Sequence, residues 1–419
     1  MAFQQGLSGL NSSSKALDVI SNNVANSSTV GFKAGRAEFS DVYSAAMNGA
    51  AAGVQVGIGS AIGAVTQLFS QGNITTTNNP LDVAINGNGF FRMTAPDGSI
   101  AYTRNGQFDV NKDGFIVNAH GFQLTGFAAT NGVIQAGGVP QRLQLDFSDV
   151  QPKPSSQMTL AMNFDSREPV SPSFNPANPT PLDRANVAAG GYNFSTSATA
   201  YDTLGNAHTL TFFFQKTAAG VWNGYYQVDG TGSATAIPAP GSPLQFDTAG
   251  KMTSGGQFSI TFPQFAGTGA SATQAISFNL ADSSQFGSAF GVNTLRQDGF
   301  ASGRLTGITI GSDGVVLGRY SNGQSRDLGQ VVMANFQSPN GLMSLGNNLW
   351  AESPDSGQPI IGAPGSANLG LLNAGSVEEA NVDLTAELVQ LIVQQRAYQA
   401  NAQSVRAQDQ ILQTLVNLR

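Results

Sequence analysis

The side chains that most often do chemistry are scarce in this 419-residue chain: two histidines, His120 and His208, and no cysteine. Thiol catalysis and disulfides are excluded, and zinc loses its commonest ligands. Each histidine reads as a turn or strand residue. Two spacings invite a closer look. Asp109-Val-Asn111-Lys-Asp113-Gly114 matches the first half of an EF-hand calcium loop, but the twelfth position is His120 rather than Glu, and Phe108 and Val110 read as strand. Gly57-Ile-Gly59-Ser-Ala-Ile-Gly63 lacks the spacing of a dinucleotide loop and no P-loop lysine follows it. Asp82, Asp109 and Asp202 read as turn formers. No catalytic, cofactor-binding or metal-ligating residue is assigned, and the chain is expected not to be an enzyme.

Composition narrows the class. Hydrophobic residues make up 41% and charged residues only 11%, with 50 glycines and 26 phenylalanines, which indicates turn-rich β structure around aromatic interiors. A net charge of −7 and the lack of a Lys/Arg cluster argue against a nucleic-acid surface. No segment is apolar for long enough to insert in a membrane. The first ten residues lack the basic start and apolar run of a cleavable secretory signal, so if the protein leaves the cell it is expected to do so by a route that keeps its N-terminus in place.

The elements that organise the chain are its ends. From Asp383 to Arg419 there is neither Pro nor Gly, and helical spacing places Leu384, Leu388, Leu391, Tyr398, Ala402, Val405, Leu412 and Val416 on one stripe. Val389, Val393, Ala397, Ala400, Ala407, Ile411, Leu415 and Leu418 fall on roughly the opposite side. Ordering each residue costs roughly 1–2 kcal/mol, while burying a large apolar side chain returns about 1.5–3 kcal/mol, so one seam cannot hold this helix. Neighbours on two sides, other copies of the chain among them, are expected. At the N-terminal end Leu7, Leu10, Leu17 and Val24 share a face with Phe3, Ser14 and Ser21. The pattern fits coiled-coil pairing of the two termini and equally a lone amphipathic helix against a core.

Beyond the first helix, Ala25-Asn26, Thr29 and Gly31-Phe32-Lys33 resemble the N-terminal signature of the flagellar rod and hook family, the axial proteins of the bacterial flagellum. Asn381, Asp383, Gln395-Arg396, Tyr398 and Asn401 resemble its C-terminal signature, although Ala380 stands where the family usually has Ser. Asp383 suits a helix N-cap and Glu387 the first turn. Asn79-Pro80-Leu-Asp-Val-Ala-Ile85 and the Asp202-Thr-Leu-Gly205 hairpin extend the likeness. The distal rod protein of the same family is the alternative within it; it shares both terminal signatures but is much shorter and lacks the β insertion that this chain carries. A secreted adhesin-like β protein is the alternative from another class, but it would not need apolar seams at its ends.

Between the ends, Phe39, Val42 and Tyr43 at helical spacing open a connecting region that then alternates through Val54, Val56 and Ile58. Turn dipeptides Asp97-Gly98, Asn105-Gly106, Asp113-Gly114 and His120-Gly121 then mark a meander. The Pro- and Ser-rich stretch from Pro152 to Pro181 reads as a domain entrance. The expected fold is multidomain: terminal helices paired as a coiled coil, and two mainly-β domains nested in the middle. The segments are 1–30 with 381–419 (helical), 31–72 with 366–380 (connecting), 73–149 with 294–365 (β, from two chain pieces) and 150–293 (inserted β). The resemblance implies export by the flagellar type III machinery and self-polymerisation, under a hook cap protein, into a curved extracellular tube joining rod to filament. It also implies contacts with the distal rod protein and a hook–filament junction protein.

A calorimetric titration with calcium is expected to give no tight isotherm; stoichiometric binding would show that residues 109–120 form a metal loop after all.

Overall fold

A computed structural model describes residues 2–42, 59–135, 137–237, 243–262, 269–271 and 273–417, with side chains described for all of these except Ala2, Val42 and 415–417. The sequence features at Tyr43, Val54, Val56, Gly57, Ile58 and Leu418, and the side chains of Leu415 and Val416, lie outside it. Two compact units emerge: Met1–Phe147 with Thr306–Arg319 and Ser325–Arg419, and Ser148–Leu305 with Tyr320–Gln324.

The first unit holds both helices, α1 (Ala2–Ala25) and α2 (Leu384–Asn417). The N-terminus of α2 is capped by Asp383, whose Oδ1 accepts the backbone N–H groups of Thr385 (2.9 Å) and Ala386 (3.1 Å). The segment after α1 is a strand, Gly35–Val42, antiparallel to Gly59–Gln67, which overturns the helical spacing read at Phe39 and Val42. Cross-strand pairing decides here, because a three-residue apolar spacing over so short a run fits a bulged strand equally well, and the register does shift between Glu38 and Phe39.

The rest of this unit is a sheet in which early strands (Phe90–Thr94, Ile100–Thr103, Gln123–Thr130) interleave with late ones (Ser325–Val331, Met333–Asn335, Leu349–Ala351). Phe91 and Phe108 meet edge to face at 5.1 Å in its main core, and Phe90, Tyr102, Phe336 and Trp350 form a second cluster. The calcium-like segment is a hairpin turn: Asn111 Oδ1 accepts the N–H groups of Asp113 (3.0 Å) and Phe115 (2.9 Å) between two short strands.

The second unit is two sheets packed face to face. Phe194–Tyr201, Ala207–Ala218 and Val221–Val228 form a meander in one. In the other, Gln157–Asp165 is central, parallel to Gln274–Asn279 and antiparallel to Gly291–Gln297. That central strand lies inside the stretch read as a domain entrance. Its Met158, Leu160, Met162 and Phe164 alternate inward, a period-two pattern that the flanking prolines and serines obscure. Phe164 meets Phe214 at 5.0 Å and an interplanar angle of 89°, with Trp222 fully buried beside them.

Within the first unit, α1 and α2 run antiparallel, Gly6 opposite Val405, Gly9 opposite Asn401 and Asn23 opposite Glu387. A Cβ on Gly6 would lie 2.8 Å from Val405 Cγ2, and one on Gly9 2.7 Å from Asn401 Nδ2. Gly9→Leu is therefore expected to weaken the helix pair by about 1–3 kcal/mol, read as faster amide hydrogen exchange in 387–405 with the β core unchanged.

Candidate assembly site

The roots of the two helices meet at one buried carboxylate. Glu378 is fully buried; its Oε1 accepts from Lys33 Nζ (2.6 Å) and the Gly72 N–H (2.9 Å), and its Oε2 from Arg104 Nη1 (3.1 Å). Its backbone carbonyl accepts the Gly31 N–H at 2.8 Å. Gly31 is in the left-handed region at φ 71°, and a Cβ there would come within 2.6 Å of the Asn105 backbone, so only glycine lets the chain pass. Lys33 Nζ also donates to Ser70 O at 2.7 Å. Asn381 finishes the knot, with Oδ1 accepting the Ala34 N–H (2.7 Å) and Nδ2 donating to Leu68 O (2.6 Å). The signature residues Gly31, Lys33 and Asn381, some 350 positions apart in sequence, are thus parts of one hydrogen-bonded structure.

Two cations on one carboxylate leave a buried positive charge. Burial lowers the Lys33 ammonium below the 10.5 of a free lysine; the Glu378 carboxylate pulls the other way, and the Arg104 guanidinium adds to the fall. Burial lowers Arg104 too. Because folded Lys33 gives up its proton at lower pH than the unfolded residue, the unfolded chain holds more protons between the two values, and stability rises with pH across that window.

Above this root, the buried side of α1 is Gly6, Ser13, Ala16, Ile20 and Asn23. Asn23 is bonded to the backbone of Gly35 through both amide atoms (2.8 and 2.9 Å) and donates to Glu387 Oε1 at 3.1 Å. The facing residues of α2, all half-buried, are Glu387, Leu391, Gln394, Ala397, Asn401 and Val405. The contact between the helices is therefore made largely by small and polar residues, with Ile20, Leu391 and Val405 as the large apolar members, one position out of step with the leucine stripe of α1. Leu10, Leu17 and Val24 are half-buried and Leu7 is 47% exposed. On α2, Leu384, Leu388, Tyr398, Ile411 and Leu412 are exposed, Ile411 to 60%.

The remaining signature residues divide in the same way. Asn26 Oδ1 accepts from Thr29 Oγ1 (3.2 Å) in the turn after the exposed Ala25, and Phe32 is half-buried. Gln395 and Arg396 are exposed. Glu378 and Arg104 were not singled out from the sequence. Their only signal was the rarity of charge, and nothing local marks Arg104 as facing a residue 274 positions away. Of the turn-forming acids, Asp202 accepts the N–H groups of Leu204 (2.9 Å) and Asn206 (2.8 Å), with His208 against it and Asp229. Among the described residues no group of three His, Cys, Asp or Glu could hold a metal ion, and no helix is long and apolar enough to cross a membrane.

Four family models match in chain order: flagella basal body rod protein (residues 3–33), flagellar hook protein FlgE/F/G D1 domain (84–151), flagellar basal body protein FlaE D2 domain (163–300) and flagellar basal body rod FlgEFG protein C-terminal (373–418). They define the class, a structural protein of the flagellar axis. The flagellar hook protein FlgE of Salmonella typhimurium is 41% identical over the full length of both chains, that of Escherichia coli K12 39%, and that of Borreliella burgdorferi 32% over all of this chain and 99% of its own. The chain belongs to the flagellar hook protein FlgE family and is a structural subunit of the bacterial flagellar hook. The Helicobacter pylori flagellar hook protein FlgE2 shares the fold, with a TM-score of 0.50 at 14% identity over 73% of this chain and 99% of that one.

Glu378→Gln strands two buried cations and is expected to cost about 3–5 kcal/mol. Lys33→Met leaves a neutral Arg104–Glu378 pair; it should cost clearly less and remove the rise in stability as pH approaches 10.5. Denaturant melts of the two variants across pH check both points, and equal losses would refute the charge balance.

Proposed function

We propose that copies of this chain polymerise through their terminal helices into a curved, flexible tube that serves as a universal joint, carrying torque from the rod to the filament. One observation carries this reading: most of the large apolar side chains of the two helices point away from their mutual contact, Ile20, Leu391 and Val405 excepted. Leu7, Leu384, Leu388, Val389, Ile392, Val393, Tyr398, Ile411 and Leu412 are all at least 42% exposed. An apolar area of this kind on paired helices needs neighbours, and copies of the chain supply them with the same geometry each time. The proposed assembly interface comprises Leu7, Leu10, Leu17, Val24, Leu384, Leu388, Leu391, Tyr398, Val405, Ile411, Leu412 and Leu415, Leu391 and Val405 serving the contact of α1 with α2, which form an antiparallel coiled coil within each subunit.

In this arrangement 1–30 and 381–419 form the inner tube, 31–72 with 366–380 connect it, 73–149 with 294–365 form a middle layer and 150–293 an outer one. The polar, weakly charged flank of α2, Gln399, Gln403 and Gln410, suits a channel wall that unfolded cargo must slide past. Its role is mechanical rather than catalytic. Export by the flagellar type III machinery, growth under a hook cap protein, and end contacts with the distal rod and hook–filament junction proteins complete the proposal.

Bending requires outer contacts weaker than the inner ones. Deleting 150–293 is therefore expected to leave tubes that still grow but bend or supercoil differently, as seen by electron microscopy. Complete loss of polymer would count against this division of labour.

A further inference from the structure

One charged group on α2 is left half satisfied. Glu387 Oε1 accepts from Asn23, but Oε2 is buried and meets no donor among the described residues. It borders a cavity of about 160 Å³ between α1, α2 and strand Gly35–Val42, lined also by Ile20, Asn23, Gln390 and Gln394. Arg36 lines the same cavity, yet its guanidinium is turned to Glu38 at 3.4 Å. A buried acceptor without a donor is destabilising, the more so when charged, so the cavity favours a cationic donor from outside.

The same helix carries such a donor where it cannot reach. Arg396 lies nine residues, or about two and a half turns, beyond Glu387, and so points away from α1. It is exposed and makes no hydrogen bond or ion pair among the described residues. Beside it stand Val389, Ile392 and Val393, exposed to 57%, 50% and 55%. An arginine flanked on one side by exposed apolar surface has the composition of an interface anchor, and its planar fork of donors matches a carboxylate.

We propose that Arg396 of one copy enters the Glu387 cavity of the next, the apolar surface beside it closing over the mouth. Donor and acceptor sit on opposite faces of one helix, so the contact joins two different patches and leaves each copy with a free half at either side. Such a heterologous contact propagates along an array rather than closing a dimer. The inference rests on the self-polymer reading above and names the residues that pass the contact from copy to copy.

Sedimentation of polymer grown from the purified full-length chain tests it. Arg396→Glu alters only an exposed position and is expected to cut the sedimenting fraction about tenfold or more, the scale of a broken buried charge pair, while monomer circular dichroism stays unchanged. Adding Glu387→Arg to that variant should restore assembly to within about threefold of wild type. Wild-type assembly by Arg396→Glu, a double variant no better than the single, or an equal loss in Arg406→Glu would each overturn the pairing. A wild-type chain that forms no polymer would instead strike at the polymer reading itself.

Discussion

A single buried carboxylate, Glu378, holding two cations sets the geometry from which both helices spring. Moving it out of water is costly and is offset only when both carboxylate oxygens find donors. Lys33, Arg104 and the Gly72 amide supply those donors, and each comes from a different stretch of chain. The root is therefore all or nothing. With it formed, α1 ends and α2 begins at fixed places, and the facing of Gly6 with Val405 and of Asn23 with Glu387 follows from helical rise alone.

The helix pair then divides its surface by side-chain size. Glycine, serine, alanine and asparagine meet α2, so the backbones approach closely but bury little carbon, at about 0.8 kcal/mol for each CH₂. Apart from Ile20, Leu391 and Val405, most of the large aliphatic side chains stay outside. A subunit built this way keeps its ends in register without spending its apolar surface on itself, which suits a protein of the flagellar hook, a polymer. The aromatic-filled unit from Ser148 to Leu305 shows the opposite economy, with Phe164, Phe212, Phe214 and Trp222 all turned inward.

Much of this was legible in the chain. The lack of Pro and Gly from Asp383 onward, the Asp383 cap and the dipeptides Asp97-Gly98 and Asp113-Gly114 each act over a few residues, and each produced the element it signalled, whereas Asn105-Gly106 joins two strands that do not pair with each other. The readings that failed were those where local pattern is degenerate. A three-residue apolar spacing at Phe39 and Val42 became a strand because Gly59–Gln67 pairs with it, and the strand Gln157–Asp165 goes unread within the Pro- and Ser-rich stretch, although the second unit does begin close by, at Ser148.

The sequence by itself determined the two end helices, the β-rich middle and the family, because periodicity, capping and signature residues are properties of neighbours along the chain. Only the tertiary structure decided which face of each helix meets the other, and that Glu378 and Arg104 anchor the pair. A helical wheel ranks faces by carbon content, and this pair closes instead through its smallest residues, where two backbones can come close. A charge pair 274 positions apart leaves no local trace, since what selects its members is the shared absence of water.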